Sequence, residues 1–286
     1  MTTDVIDVVV PDSGEAHFEF GRNWTSFLRV LNEERMAIAR KSLLDMLGVS
    51  DLRGKRFLDI GTGSGLFSLA AMQLGAEVVS FDYDADSVNC ARELKRRFFP
   101  ADARWRIEQG SVLNRAYVES IGQFDVVYSW GVLHHTGAMH EAIQNAALPT
   151  RVGGQLFIAI YNDQGRWSRM WAWEKKTYNQ VPRPLKPLVA LPFVLATELN
   201  ICLAYLRGLN PMGYVRFWTQ YAKDSARGMS RWHDIIDWVG GYPFEVATPE
   251  EILQFVEAQG FEAIRVESVR GGSGCNQFVF RRRATV

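Results

Sequence analysis

Neither sign of charge dominates this sequence: Lys+Arg and Asp+Glu are both 32, so the formal charge is zero. Nothing draws the chain as a whole to a phosphate backbone, and nucleic acid is not the expected partner. Cysteine is scarce. Cys90, Cys202 and Cys275 lie far apart, without CxxC or Cys/His spacing, which excludes a disulfide framework and a zinc-built site. An odd, sparse count fits a reducing compartment. The basic start and apolar run of a secretory signal are missing from Met1 to Glu19, which is acidic and broken by Pro11 and Gly14, so the expected location is cytoplasmic. Long apolar runs are confined to Pro187–Leu206. Glu198, Asn200, Pro187 and Pro192 argue against a transmembrane span there. The segment reads as an apolar lid or a face for a second copy in a homodimer, with membrane-surface contact through 187–206 as the other option.

What the sequence has is alternation. Apolar residues at helical spacing predict a helix from Trp24 to Gly48. Five strands follow, at Arg56–Ile60, Glu77–Phe81, Trp105–Glu108, Phe124–Ser129 and Gly154–Tyr161, with helices at Ser87–Phe98 and His140–Leu148 among them. Strands alternating with helices predict a doubly wound α/β fold, its sheet mostly parallel and covered on both faces. Residues 163–245 break the rhythm with a helical pattern rich in Trp, Tyr, Arg and Lys, read as a lid insertion. Thr248-Pro249-Glu250-Glu251 opens a further helix with a capping box. Phe261–Ser268 and Asn276–Arg281, joined by Gly271–Gly274, predict an antiparallel C-terminal hairpin. The parts are thus an N-terminal cover and helix (1–50), a core (51–162), the lid (163–245) and a C-terminal helix and strands (246–286).

The strongest motif is Leu58-Asp59-Ile60-Gly61-Thr62-Gly63-Ser64-Gly65, between the first strand and a helix that Ser64 is positioned to start. Glycines there allow tight turns and close approach of a ligand to the main chain. Asp82 ends the second strand, where an acid accepts hydrogen bonds from ribose hydroxyls. The glycine spacing is not the GxGxxG of a dinucleotide site, so a dehydrogenase is the lesser reading.

LDIGTGSG and VVSFDYD together resemble the first two motifs of the class I methyltransferases. The pattern is similar to the small-molecule enzymes of the ubiquinone-biosynthesis type, over roughly residues 50 to 162. The resemblance implies a Rossmann-like core and S-adenosylmethionine (SAM) as cofactor. It implies that Gly61, Gly63 and Gly65 pass under the ribose and amino-acid part and that Asp59 orients the methionyl ammonium. Asp82 would hold the ribose, Tyr83 would pack on the adenine, and Ser111 and Val112 would sit beside it. That family often carries an acid where Ser111 stands. Ser129-Trp130-Gly131-Val132-Leu133-His134-His135 resembles the family's segment after the fourth strand, with Ser129 and Trp130 at the cofactor.

His134 and His135 are the base candidates, since imidazole titrates near neutrality. Tyr161, Asn162 and Asp163 end the fifth strand, and with Arg166 and Trp24 they are the candidate substrate contacts. Trp24, in the aromatic run Phe18–Trp24, is a candidate cover. No metal cluster is apparent. The expected activity is methyl transfer to an oxygen, nitrogen or sulfur of a small molecule. The alternatives are methylation of nucleic acid or protein, and a non-catalytic SAM-binding regulatory module. The segment SWGVLHH lacks the Asn/Asp-Pro-Pro-aromatic pattern of amino-group base methylases.

Overall fold

The computed structural model describes residues 31–224 and 231–284, together with Trp24 and Leu28. Seven strands form one sheet: β1 (Arg56–Ile60), β2 (Glu77–Asp82), β3 (Trp105–Gln109), β4 (Phe124–Trp130), β5 (Thr150–Tyr161), β6 (Phe261–Glu267) and β7 (Cys275–Arg282). Their order is β3-β2-β1-β4-β5-β7-β6. The first five are parallel, and β7 runs antiparallel between β5 and β6. This is the doubly wound sheet with a C-terminal antiparallel hairpin that the sequence predicts.

Strands buried on both faces read as continuous apolar runs, and alternate residues serve opposite cores. Phe57, Val78, Tyr128 and Phe157 face one side with α1 (Glu33–Leu47), α2 (Leu66–Gln73) and α3 (Ala85–Phe98). Leu58, Val79, Val127 and Ile158 face the other with α4 (Arg115–Ser120), α5 (Met139–Ala147) and α10 (Pro249–Glu257).

Among the boundaries that differ from the sequence expectation, three have a clear local cause. Trp24 is helical, with its carbonyl accepting the Leu28 N–H, but the helix expected to run on to Gly48 starts afresh at Glu33, because Asn32 takes an extended backbone and its side chain accepts the Arg35 N–H. The helix after the glycine loop starts at Leu66, behind Gly65 in the left-handed region, rather than at Ser64. β5 begins already at Thr150, because the sheet absorbs Gly153 and Gly154 with a register shift against β4.

Between β5 and α10 the chain makes α6 (Arg166–Gln180), α7 (Lys186–Arg207), α8 (Pro211–Asp224) and α9 (Arg231–Gly240). The two ends of this insertion are clamped together. The Ala247 N–H donates to the Tyr161 carbonyl (3.0 Å), and the Asp163 N–H donates to the Ala247 carbonyl (3.1 Å). The reciprocal capping box of Thr248 and Glu251 then starts α10, so the chain re-enters the core in a fixed direction.

Candidate functional site

The carboxyl ends of β1, β2 and β4 open into one cavity of about 1380 Å³, roofed by the insertion. In an open parallel sheet this is where the strand order reverses and ligands bind. Gly61 and Gly63 line it and Gly65 does not, and each has its own reason to be glycine. Gly61 (φ +72°) lies so close to Val132 that a Cβ would fall 2.4 Å from its Cγ1. Gly63 (φ +53°) lies under Trp24, whose Nε1 would be 2.9 Å from a Cβ. Gly65 (φ +80°) packs its backbone on Ala91 of α3, so it brings two helices together rather than opening the cavity.

Asp59 is buried behind the loop. Its carboxylate accepts the Thr62 hydroxyl (2.8 Å) and the Ser68 hydroxyl (2.5 Å). Ser68 in turn accepts from Ser80 (2.7 Å), and Ser80 from the Trp105 indole N–H (2.7 Å). The donors thus run in one direction and end on the carboxylate. Burial nevertheless pushes the Asp59 carboxyl up to about 6, against those hydrogen bonds. Sequence reasoning missed Thr62, Ser68 and Ser80; small hydroxyls beside a buried acid were the available signal.

Asp82 accepts the Gly63 N–H (2.9 Å) and the Asp84 N–H (3.0 Å), which ties the end of β2 to the glycine loop. Burial raises its carboxyl to about 7, with the Gly63 hydrogen bond opposing. Tyr83 beside it is half exposed and lines the cavity, as do Ser111 and Val112. Asn145 holds that turn by donating to the Val112 carbonyl (2.9 Å).

On the β4 side, Trp130 lines the cavity and donates to Gln277 (3.0 Å). Ser129 does not line it; its hydroxyl donates to the Ile60 carbonyl (3.1 Å) beneath the loop. The two histidines separate. His135 lines the cavity, with Nδ1 2.6 Å from the Pro243 carbonyl. A carbonyl only accepts, so Nδ1 carries the proton and Nε2 is the unprotonated nitrogen. Burial drops its pKa to about 3. His134 is fully buried outside the lining, 4.0 Å from the Tyr161 ring, and its Nδ1 accepts the Tyr161 N–H (3.4 Å). Burial, then His135 and Lys175, drive its pKa down as well.

Of the candidate substrate contacts, Trp24 and Tyr161 line the cavity, while Asn162, Asp163 and Arg166 do not. Asn162 is buried at the hairpin, donating to the Gly272 carbonyl (3.1 Å) and accepting from Asn276 (2.9 Å). Asp163 caps a turn by accepting the Gly165 N–H (2.8 Å). Arg166 is exposed in the first turn of α6. The polar strand end therefore anchors the lid and leaves the cavity wall to other residues. Phe18–Asn23 of the aromatic run lie outside the described residues.

The lid supplies a wall that is mostly aromatic and aliphatic: Trp171, Phe193, Ile201, Phe217, Trp238 and Val239 among others. Trp238 packs on Tyr161 and Trp171 at 5.2 and 5.6 Å between centroids. Behind it, Lys175 is fully buried with its ammonium over the Trp238 and Phe244 rings, at 4.5 and 5.0 Å. The lid's polar cluster is Glu198 with Arg231. Glu198 accepts from Arg231 (2.5 Å), Tyr214 (3.0 Å) and Trp218 (3.1 Å). Sequence reasoning saw Glu198 only as a charge inside an apolar run, and Arg231 carried no signal.

A family model described as a methyltransferase domain matches residues 31–186. Among curated relatives, the ubiquinone biosynthesis O-methyltransferase of Sinorhizobium fredii is 28% identical over 140 residues, 47% of this chain and 54% of its own. That of Xanthomonas oryzae pv. oryzae is 34% identical over 112 residues, 39% of this chain and 45% of its own. The chain spans about half the length of the curated relatives it matches. Among solved structures, PKMT2 from Rickettsia typhi, in complex with AdoHcy, superposes with a TM-score of 0.53 at 10% identity. That match covers 87% of this chain and 53% of the other.

Proposed function

The chain belongs to the methyltransferase-domain family of class I, SAM-dependent enzymes, and from that premise we propose that it transfers a methyl group to an oxygen, nitrogen or sulfur of a small-molecule metabolite. The observation that carries this reading is the continuity of the cavity, which runs from the glycine loop and Asp82 to the aromatic chamber under the lid.

The residues at the loop suit the cofactor. Gly61 and Gly63 let the loop lie against Val132 and Trp24 at the cavity, where a Cβ would collide with those side chains, and Asp82 offers carboxylate oxygens at the end of β2. Asp82 would hold the ribose, Ser111 and Val112 would flank the adenine, and Asp59 would face the amino-acid end. When bound, SAM supplies a methyl group made electrophilic by its sulfonium. The chain's own work is alignment and exclusion of water. Trp24, Tyr161, Trp171 and Trp238 shape the chamber for that purpose.

His135 is the residue we assign to the acceptor. Its Nδ1 is fixed by the Pro243 carbonyl, so Nε2 is the nitrogen that accepts the acceptor's hydroxyl hydrogen bond. A pKa of about 3 makes a weak base toward a free hydroxyl. As the acceptor oxygen gains its new bond, however, its proton becomes strongly acidic, and a weak base suffices to take it. His134, behind the Tyr161 ring, supports the wall.

The test is incubation of the protein with methyl-tritiated SAM and panels of phenols, amines and thiols. Label moving into the organic-soluble acceptor is the expected result. His135→Asn is expected to slow hydroxyl acceptors by about 10²-fold and thiols far less. Label that enters only precipitable protein or nucleic acid contradicts the small-molecule reading.

A further inference from the structure

α7 has two apolar faces, and among the described residues only one is packed against the rest of the protein. Phe193, Val194, Thr197, Glu198 and Ile201 line the cavity. On the opposite face Leu188, Leu191, Leu195, Leu199 and Leu206 recur at helical spacing and are 48% to 69% exposed. The stripe continues past the end of α7 into Leu209 and, on α8, Met212 and Val215, all exposed. Monomeric soluble surfaces rarely carry an apolar patch of this extent without a partner.

Charge says which partner. The chain as a whole is neutral, but residues 166–224 hold nine Lys and Arg against three Asp and Glu. Arg166, Arg169, Lys176, Arg207 and Arg216 are exposed. Of the acids, Glu174 is buried and Glu198 is held by Arg231, Tyr214 and Trp218. Trp167 and Trp173 stand exposed on α6. Exposed leucines with Arg207 next to Leu206 and Arg216 next to Val215, together with exposed cations and tryptophans on the neighbouring α6, are the composition of a helix that lies in a lipid interface. A second copy of the same face would bring these cations together.

We propose that the outer face of α7 docks on the surface of an anionic lipid bilayer and that the methyl acceptor is an amphiphile entering the cavity from that bilayer. The second clause rests on the proposed methyltransferase function; the first stands on the surface alone. α7 is long and apolar enough to cross a membrane by length and composition. Its inner face is committed, however: spanning would pull Phe193 and Ile201 out of the cavity wall and Glu198 away from Arg231. Lying flat keeps every one of these contacts and puts the cavity one helix thickness from the lipid.

The test is co-sedimentation of the full chain with phosphatidylcholine vesicles, with and without phosphatidylglycerol. Binding of S-adenosylhomocysteine (SAH) is measured in parallel as the control for folding and for the methyltransferase reading. The expected result is pelleting with the anionic vesicles only, lost in high salt. Leu191→Glu, Leu195→Glu and Leu199→Glu combined are expected to abolish it while SAH binding is unchanged. Arg207→Glu with Arg216→Glu is expected to weaken it by about tenfold or more. Failure of the wild-type chain to pellet overturns the proposal, as does equal pelleting with neutral vesicles or pelleting that the leucine variant retains. A dimer in light scattering that the leucine variant dissolves, without vesicle binding, assigns the stripe to a second copy and overturns it too. Vesicle binding without SAH binding leaves the docking standing and removes the methyltransferase reading.

Discussion

A carboxyl group partly withdrawn from water at a strand end holds its proton to higher pH, and a ligand that favours the charged form draws that proton off. Asp82, raised to about 7, is in that position. Ribose hydroxyls donate to a carboxylate, so cofactor binding selects the deprotonated state. Below the raised pKa, binding must expel a proton, and affinity falls as pH falls. From about pH 8 to about pH 6 the SAH dissociation constant is expected to rise, approaching tenfold per unit below the pKa. Calorimetry in buffers of different ionisation enthalpy checks this through the proton released, and Asp82→Asn is expected to remove the dependence. Glycine substitutions separate conformation from contact. Gly48 and Gly61 both have positive φ, but a Cβ on Gly48 meets nothing within 4 Å, whereas on Gly61 it meets Val132. Gly48→Ala is expected to cost about 1 kcal/mol of stability with SAH binding intact. Gly61→Ala is expected to lose the binding. At this scale the glycine loop and Asp82 are legible in the sequence, because the motif is local and its chemistry sits in consecutive residues. Asn162 and Asp163 were not legible as structural residues. Their partners Gly272, Asn276 and Ala247 lie roughly a hundred positions away, beyond any local pattern.

Elements here are set by their ends. Thr248 and Glu251 satisfy each other's backbone N–H groups, and this cap directs the return from the lid. Thr248→Ala is expected to destabilise the protein by about 1 kcal/mol, read from the urea midpoint. α5 lacks such a cap of its own, and the Glu245 carboxylate accepts its Met139 N–H at 3.0 Å. The last residue of the lid segment thereby fastens α5 to it. Strand positions were legible because parallel strands buried on both faces are apolar throughout, and the capping box was legible because its residues are adjacent. The start of α1 was misjudged because helical spacing runs through Asn32, and only the backbone there reveals the cap. The start of β5 was placed at Gly154 rather than Thr150, because Gly153 and Gly154 carry no strand signal and the sheet accommodates them by a register shift.

On the scale of the molecule, a sheet whose carboxyl edge carries the glycine loop is joined to a helical lid that walls the rest of the same cavity. The family model covers residues 31–186, so most of α7 and all of α8 and α9 lie outside it. Composition revealed the lid as helical and aromatic, but not which of its faces meets the cavity, since α7 carries apolar residues on both of its faces. The division of labour makes a simple expectation: changes on the outer face of α7 leave cofactor binding alone, and changes at the sheet's edge remove it. The measurement that tests the central claim most directly is calorimetric titration of the purified chain with SAH, with NAD run beside it. The account predicts micromolar binding of SAH, at least about tenfold weaker in Asp82→Ala, and no binding of NAD. Binding of NAD without SAH would make the glycine loop a dinucleotide site and contradict the account.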